Sequence, residues 1–166
     1  ADLIAGVFFA CNFALHLLSG AMGGKLLSFR GCLTGSLIFQ VFGGLFLSQH
    51  GLNNFYVGLT CLLVGSGTML TSINMLVGQN FKEGDTRREK AFFLSYSGMN
   101  VGFLVGFAIA GYFQLHKEFI ALFTCASLMN VVCLLVVFFS GKSLCDKETV
   151  LLEKCSKQKS FRNTAG

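Results

Sequence analysis

Charge is what this chain has least of. Asp, Glu, Lys and Arg together make up 13% of its 166 residues, about half the share of a soluble domain, which is about 25%. The shortage is concentrated in blocks. No charged residue occurs between Gly31 and Phe81, between Ala91 and His116, or between Phe119 and Gly141. Crossing a bilayer as helix takes roughly 20 apolar residues, and each block is long enough to do so. A soluble globular domain is therefore excluded. Strict alternation of apolar and polar residues is missing too, which excludes a membrane β-barrel.

Other absences narrow the chemistry. After Asp2 the apolar stretches carry no acid, and His16 is the one histidine inside them. Paired carboxylates, a histidine cluster or an activated nucleophile would be needed for membrane-embedded catalysis. No catalytic residue is assigned, and the chain does not read as an enzyme. The seven cysteines include no C-x-x-C pair, so no metal and no cofactor is expected. Cys11, Cys32, Cys61, Cys125 and Cys133 read as packing residues in or beside the spans. Cys145 and Cys155 lie on a cytoplasmic tail as reduced thiols. Proline is absent altogether, so the bends it commonly introduces in membrane helices fall to glycine. Gly43-Gly44 and Gly65-Ser66-Gly67 are the expected bend sites.

What is present is a series of five spans, about Leu3–Gly23, Cys32–Ser48, Phe55–Gln79, Ala91–Gln114 and Phe119–Ser140. The fold class is all-α and integral to the membrane. Residues 1–141 form a transmembrane bundle and residues 142–166 a cytoplasmic basic tail, with a short interfacial or cytoplasmic helix expected around Asp146–Lys159. Short connections imply that consecutive helices pack antiparallel as neighbours. In the loop before the fourth span, Asp85 or Thr86 is placed to cap the helix, with Glu89 in its first turn.

Twelve of the thirteen Lys and Arg residues fall on one side of this arrangement and only Lys117 on the other. That bias puts the loops after the first, third and fifth spans in the cytoplasm. It also accounts for the net charge of +5 without a nucleic-acid partner. The partner it does require is a lipid bilayer, expected to be the inner (plasma) membrane. The chain opens on Ala1 close to an apolar span with its N-terminus outside, which is the expectation for a fragment preceded by at least one helix.

Within the spans, Asn12, His16, Gln40, Asn74, Tyr96, Asn100 and Asn130 must each find a hydrogen-bond partner or line a wet path. Tyr96 and Asn100 lie four residues apart on one helix face. Asn74 and His16 join them as path candidates. Gly98, Gly102 and Gly106 form a small-residue stripe that suits close helix packing.

Several pieces in order resemble the proton-dependent oligopeptide transporter (POT/PTR) family of the major facilitator superfamily. They are Gly65-Ser-Gly67, then Glu83-Gly-Asp85-Thr-Arg87-Arg88, then Phe92, Tyr96, Asn100 and Gly102, then Gly111-Tyr112. The resemblance implies that the spans are helices two to six of a six-helix N-terminal half, and that the C-terminal half and the first helix, with its E-x-x-E-R proton-coupling motif, are missing partners. It implies alternating-access uptake of peptides or amino-acid-like solutes with protons. Tyr96 and Asn100 match fifth-helix positions near the central cavity. Leu70, the fifth path candidate, stands where the family carries a lysine that lies near the acidic motif and the substrate's carboxylate. The loop at Gly24, Leu26, Ser28, Arg30 and Gly31 resembles the superfamily's cytoplasmic gate motif, with Ser28 at its aspartate position and Phe29 at the arginine that follows. The proline common near Gly106–Ala108 is lost. These departures leave a non-transporting remnant or a structural membrane protein as the alternative.

The charge bias makes a direct prediction. In a cysteine-free background, a membrane-impermeant maleimide added outside cells should label a cysteine placed at Asn53 and not one placed at Lys82. The reverse pattern would sink the assigned orientation.

Overall fold

Backbone N–H and C=O groups have no water to bond in hydrocarbon, so uncharged stretches must satisfy them internally, as helix. The computed structural model, which describes residues 2–25, 27–82 and 84–141, shows this outcome. Five helices follow one another: α1 (Asp2–Met22), α2 (Phe29–Leu47), α3 (Leu52–Gly78), α4 (Thr86–Leu115) and α5 (Phe119–Phe139). No β-strand occurs among the described residues; the single bridge pairs Gly23 with Leu27. Helices α2 to α5 are each long and apolar enough to cross a membrane, and α1 contributes the shorter apolar stretch Gly6–Met22. Leu26, Glu83 and the expected tail with Cys145 and Cys155 lie outside the described residues.

Helices α2, α3 and α4 start earlier than the expected spans, because residues at their N-terminal boundaries set the starts rather than the loss of charge, while α5 starts at Phe119 as expected. Ser28 caps α2, its hydroxyl accepting from Gly31 N at 2.9 Å. Gly51 breaks the chain before α3 with φ 133°, a conformation that favours glycine. Asp85 caps α4, accepting from Arg87 N at 2.9 Å. Its carboxylate also pairs with the Arg87 guanidinium at 3.0 Å. The side-chain hydrogen bond from Arg87, followed by the backbone one, holds the Asp85 carboxyl below its usual range. Glu89 sits in the first turn of α4, where its charge suits the helix dipole. Thus Asp85, not Thr86, is the cap.

The helices are not packed in chain order. The expectation that every consecutive pair would be neighbours holds well for α2 and α3, weakly for α3 with α4 and α4 with α5, and fails for α1 and α2. Helix α1 lies instead along α3, and α5 lies along α2. Contacts of Asn12 with Ser66 and of His16 with Thr71 make α1 and α3 parallel. Those of Val41 with Ser127 and Ser48 with Thr124 make α2 and α5 antiparallel.

Glycine explains this choice of neighbours. A Cβ on Gly43 would lie 2.9 Å from Leu62 N and 3.0 Å from Gly58 O, and one on Gly65 would lie 2.7 Å from Ser36 O. The α2 and α3 backbones meet there with no room for a side chain. Gly67 admits α1, since its Cβ would stand 2.6 Å from Leu15 Cβ, and Gly44 lies against Ser127 of α5. These residues sit inside uninterrupted helices, where Gly43-Gly44 and Gly65/Gly67 serve as contact points between helices. Phe29, Leu33 and Leu76 form the buried cluster, joined by Met69, Ile73 and Val137. The buried hydroxyls of Ser36, Ser72 and Ser127 donate to carbonyls of their own helices at 2.8, 2.8 and 2.9 Å, so small polar side chains fill the tight seams without orphaned donors.

The stripe on α4 behaves differently. A Cβ on Gly98, Gly102 or Gly106 would meet nothing within 4 Å, and no residue of α4 is buried. The expected packing face is therefore open among the described residues. The tight glycine contacts lie on α2 and α3, because those helices cross closely enough to need them.

Replacing Gly43 with Leu should lower the stability of the purified chain by roughly 1–3 kcal/mol, the usual range for forcing bulk into a packed seam. The same change at Gly98 should cause no loss. Thermal unfolding in detergent followed by circular dichroism checks both; equal effects would contradict the assigned seam.

Candidate functional site

Because α4 stands away from the α1–α3 pair over most of its length, a cavity of about 1030 Å³ opens between α1, α2, α3 and α4. Phe8 and Phe9 of α1, Met69, Leu70 and Ile73 of α3, and Phe92, Met99 and Phe103 of α4 supply an apolar wall. Polar groups enter from each helix: Asn12 and His16 from α1, Gln40 from α2, Ser66 and Asn74 from α3, Ser95 and Tyr96 from α4. Among the described residues, no Asp, Glu, Lys or Arg lines it. Such a site holds a ligand by apolar contact and by a few oriented hydrogen bonds.

Four of the five path candidates come together here. Tyr96, Asn74, Leu70 and His16 all line the cavity. Asn100 does not. Its amide donates to Tyr96 O at 2.9 Å, a bond back to its own helix one turn earlier. The i, i+4 spacing that appeared to pair two side chains instead joins the Asn100 side chain to the Tyr96 backbone.

The α1–α3 seam forms the ordered part of the wall. Asn12 Nδ2 donates to Ser66 Oγ at 2.6 Å, and Ser66 Oγ donates to Leu63 O at 3.3 Å. Thr71 Oγ1 donates to His16 O at 3.2 Å. The Gln40 amide turns to Met69 Sδ at 3.1 Å. His16 Nδ1 is enclosed and has no hydrogen-bond partner among the described residues. Asn12 and Ser66 were not site candidates on sequence alone. The available signal was that Asn12 precedes His16 by one helical turn, so both fall on one face.

At the other end of α1, the gate-loop residues have structural partners. Gly24 takes φ 75° and donates its N–H to Leu27 O at 2.8 Å. Ser28 and Gly31 form the α2 cap already described. Arg30 Nη1 donates to Gly141 O at 3.3 Å, joining the start of α2 to the residue just beyond α5. Ser28, at the gate motif's aspartate position, thus bonds the backbone of its own helix. Among the described residues no group of three His, Cys, Asp or Glu side chains is placed to hold a metal.

Comparison with known proteins bears on what this cavity belongs to. The family model described as Major Facilitator Superfamily matches residues 1–160. "Peptide transporter YePEPT" of Yersinia enterocolitica is 28% identical over 115 residues, which is 68% of this chain and 22% of the relative. "Dipeptide and tripeptide permease B" of Aliivibrio fischeri is 29% identical over 107 residues, 63% of this chain and 22% of the relative. The chain therefore spans about a fifth of the length of these relatives. Among solved structures, a POT family transporter in complex with 5-aminolevulinic acid superposes with a TM-score of 0.78 at 19% identity, covering 96% of this chain and 35% of that one. A peptide transporter POT in complex with sulfate gives 0.77 at 19% identity, covering 98% and 35%. At that identity the likeness concerns the fold, and the helices repeat that fold over nearly the whole chain.

The Asn12–Ser66 bond should carry a measurable share of the α1–α3 contact. Hydrogen bonds between membrane helices contribute about 0.6 kcal/mol on average and up to about 1.7. A double-mutant cycle of Asn12→Ala and Ser66→Ala, read by unfolding in mixed micelles, should return a coupling in that range. Strict additivity would mean that the two side chains act independently.

Proposed function

This chain belongs to the major facilitator superfamily, a family of transporters rather than enzymes, and we propose that it forms helices two to six of the N-terminal half of a proton-coupled importer for peptides or amino-acid-like solutes. The observation that carries this reading is the cavity that gathers Tyr96, Asn74, Leu70 and His16 between α1, α3 and α4. Its relatives named as peptide transporters supply the solute class. The apolar wall would hold solute side chains, and the Tyr96 hydroxyl and Asn74 amide would meet the peptide backbone.

Alternating access needs two halves that rock about the site. The open glycine stripe Gly98, Gly102 and Gly106 would suit close packing of a helix from the C-terminal half. The gate loop would sit in the cytoplasm with the other basic loops, in a plasma membrane, and the inward proton gradient would drive uptake. Leu70 removes the cation that the resemblance places beside the solute's carboxylate. Binding in this protein would accordingly rely on neutral hydrogen-bond donors.

The native gene product containing this chain should restore uptake of labelled dialanine to a peptide-uptake-deficient bacterium, and a protonophore should abolish it. Tyr96→Phe should raise the half-saturating concentration roughly fivefold, as expected for loss of a hydrogen bond of about 1 kcal/mol. Asn100→Ala should leave it unchanged, because that side chain does not line the cavity and bonds Tyr96 O of its own helix. Absence of uptake from a well-expressed, membrane-inserted product would favour a non-transporting remnant.

A further inference from the structure

His16 is held from two sides. Its backbone carbonyl takes the Thr71 hydroxyl at 3.2 Å, and Phe13 packs edge-on against its ring with centroids 6.2 Å apart at 61°. The two ring nitrogens have different surroundings. Nδ1 is enclosed and without a hydrogen-bond partner among the described residues, whereas Nε2 is not enclosed in this way. The residue itself lines the cavity.

A neutral imidazole has one N–H and one lone pair to place. An enclosed N–H without an acceptor is the costlier orphan, and such groups are rarer in folded proteins than under-satisfied acceptors. No neighbour reverses this preference. From α3, Ser66 donates to Leu63 O and Thr71 donates to His16 O. From α2 the cavity receives Gln40, from α4 Ser95 and Tyr96, and no carboxylate lines it among the described residues. The lone pair therefore belongs on Nδ1 and the proton on Nε2. The other amides near this seam are engaged, Asn12 with Ser66 and Gln40 with Met69. We infer that the Nε2–H of His16 is a further donor, beside the Tyr96 hydroxyl and the Asn74 amide, with which this cavity takes an acceptor oxygen, carbonyl or carboxylate, of a peptide-like solute. The inference rests on the cavity being the solute site.

Two measurements test it. Nitrogen-15 NMR of the histidine-labelled chain in lipid nanodiscs, with His16 assigned by comparison with a His50→Gln/His116→Gln variant, should show the Nε2–H tautomer. Dialanine and dialanine amide are then titrated into the purified native protein and its variants. His16→Gln, whose amide nitrogen approximates Nε2, should retain binding. His16→Asn, which approximates Nδ1, and His16→Leu should weaken it by roughly five- to tenfold, as for one lost hydrogen bond. A loss with both ligands identifies a carbonyl acceptor and a loss with dialanine alone a carboxylate; either supports the inference. A proton on Nδ1, or equal binding by all three His16 variants while Tyr96→Phe still impairs it, overturns the role of His16 alone. Failure of the wild-type protein to bind dialanine overturns the solute site and this inference together.

Discussion

The close approach of α2 and α3 at Gly43, Gly58 and Gly65 is the contact on which the rest of this arrangement depends. In hydrocarbon, two apolar helices gain nothing by leaving lipid for each other except through close packing, hydrogen bonds and released lipid. Backbones that meet at 2.7–3.0 Å from where a Cβ would stand gain dispersion contacts along their length. With α2 and α3 joined, each retains a second face. Gly67 gives the α3 face to α1, and Gly44 gives the α2 face to α5. The result is a four-helix unit in which α1 is beside the helix two spans later rather than the one that follows it.

Helix α4 is outside that unit, and the cavity is the consequence. It has no buried residue and touches α3 and α5 only lightly. Its apolar and aromatic side chains face a space instead of a seam. The polar residues that line this space come from all four bordering helices, yet the strong internal hydrogen bonds lie between α1 and α3. One wall is thus ordered by packing, and the other, on α4, is only lightly packed.

Ser28 shows how a departure from a family pattern can be absorbed. The gate motif that this loop resembles has an acid there, and a serine removes its charge. The hydroxyl nevertheless caps α2, and Arg30 bonds the carbonyl of Gly141. Helix α2 therefore keeps its start and its tie to α5. Leu70 has no comparable substitute: it is an apolar side chain on the cavity wall.

Much of this was legible in the chain alone. Long stretches without charge dictate helix in a membrane, since no other local structure satisfies the backbone there, and the asymmetric Lys and Arg distribution argues for an orientation. The residues quoted from Gly65 to Tyr112 pointed to the superfamily that the family match shows. Neighbour choice was decided only in three dimensions. Every glycine has the same missing side chain, and sequence spacing cannot tell a stripe that meets a backbone, as at Gly43 and Gly65, from one that faces open space, as at Gly98 to Gly106. The same holds for the polar residues. Whether Asn100 bonds a solute or its own helix, and which nitrogen of His16 is enclosed, depend on helix rotation and on which helix lies opposite, and those follow from packing between segments far apart in the chain.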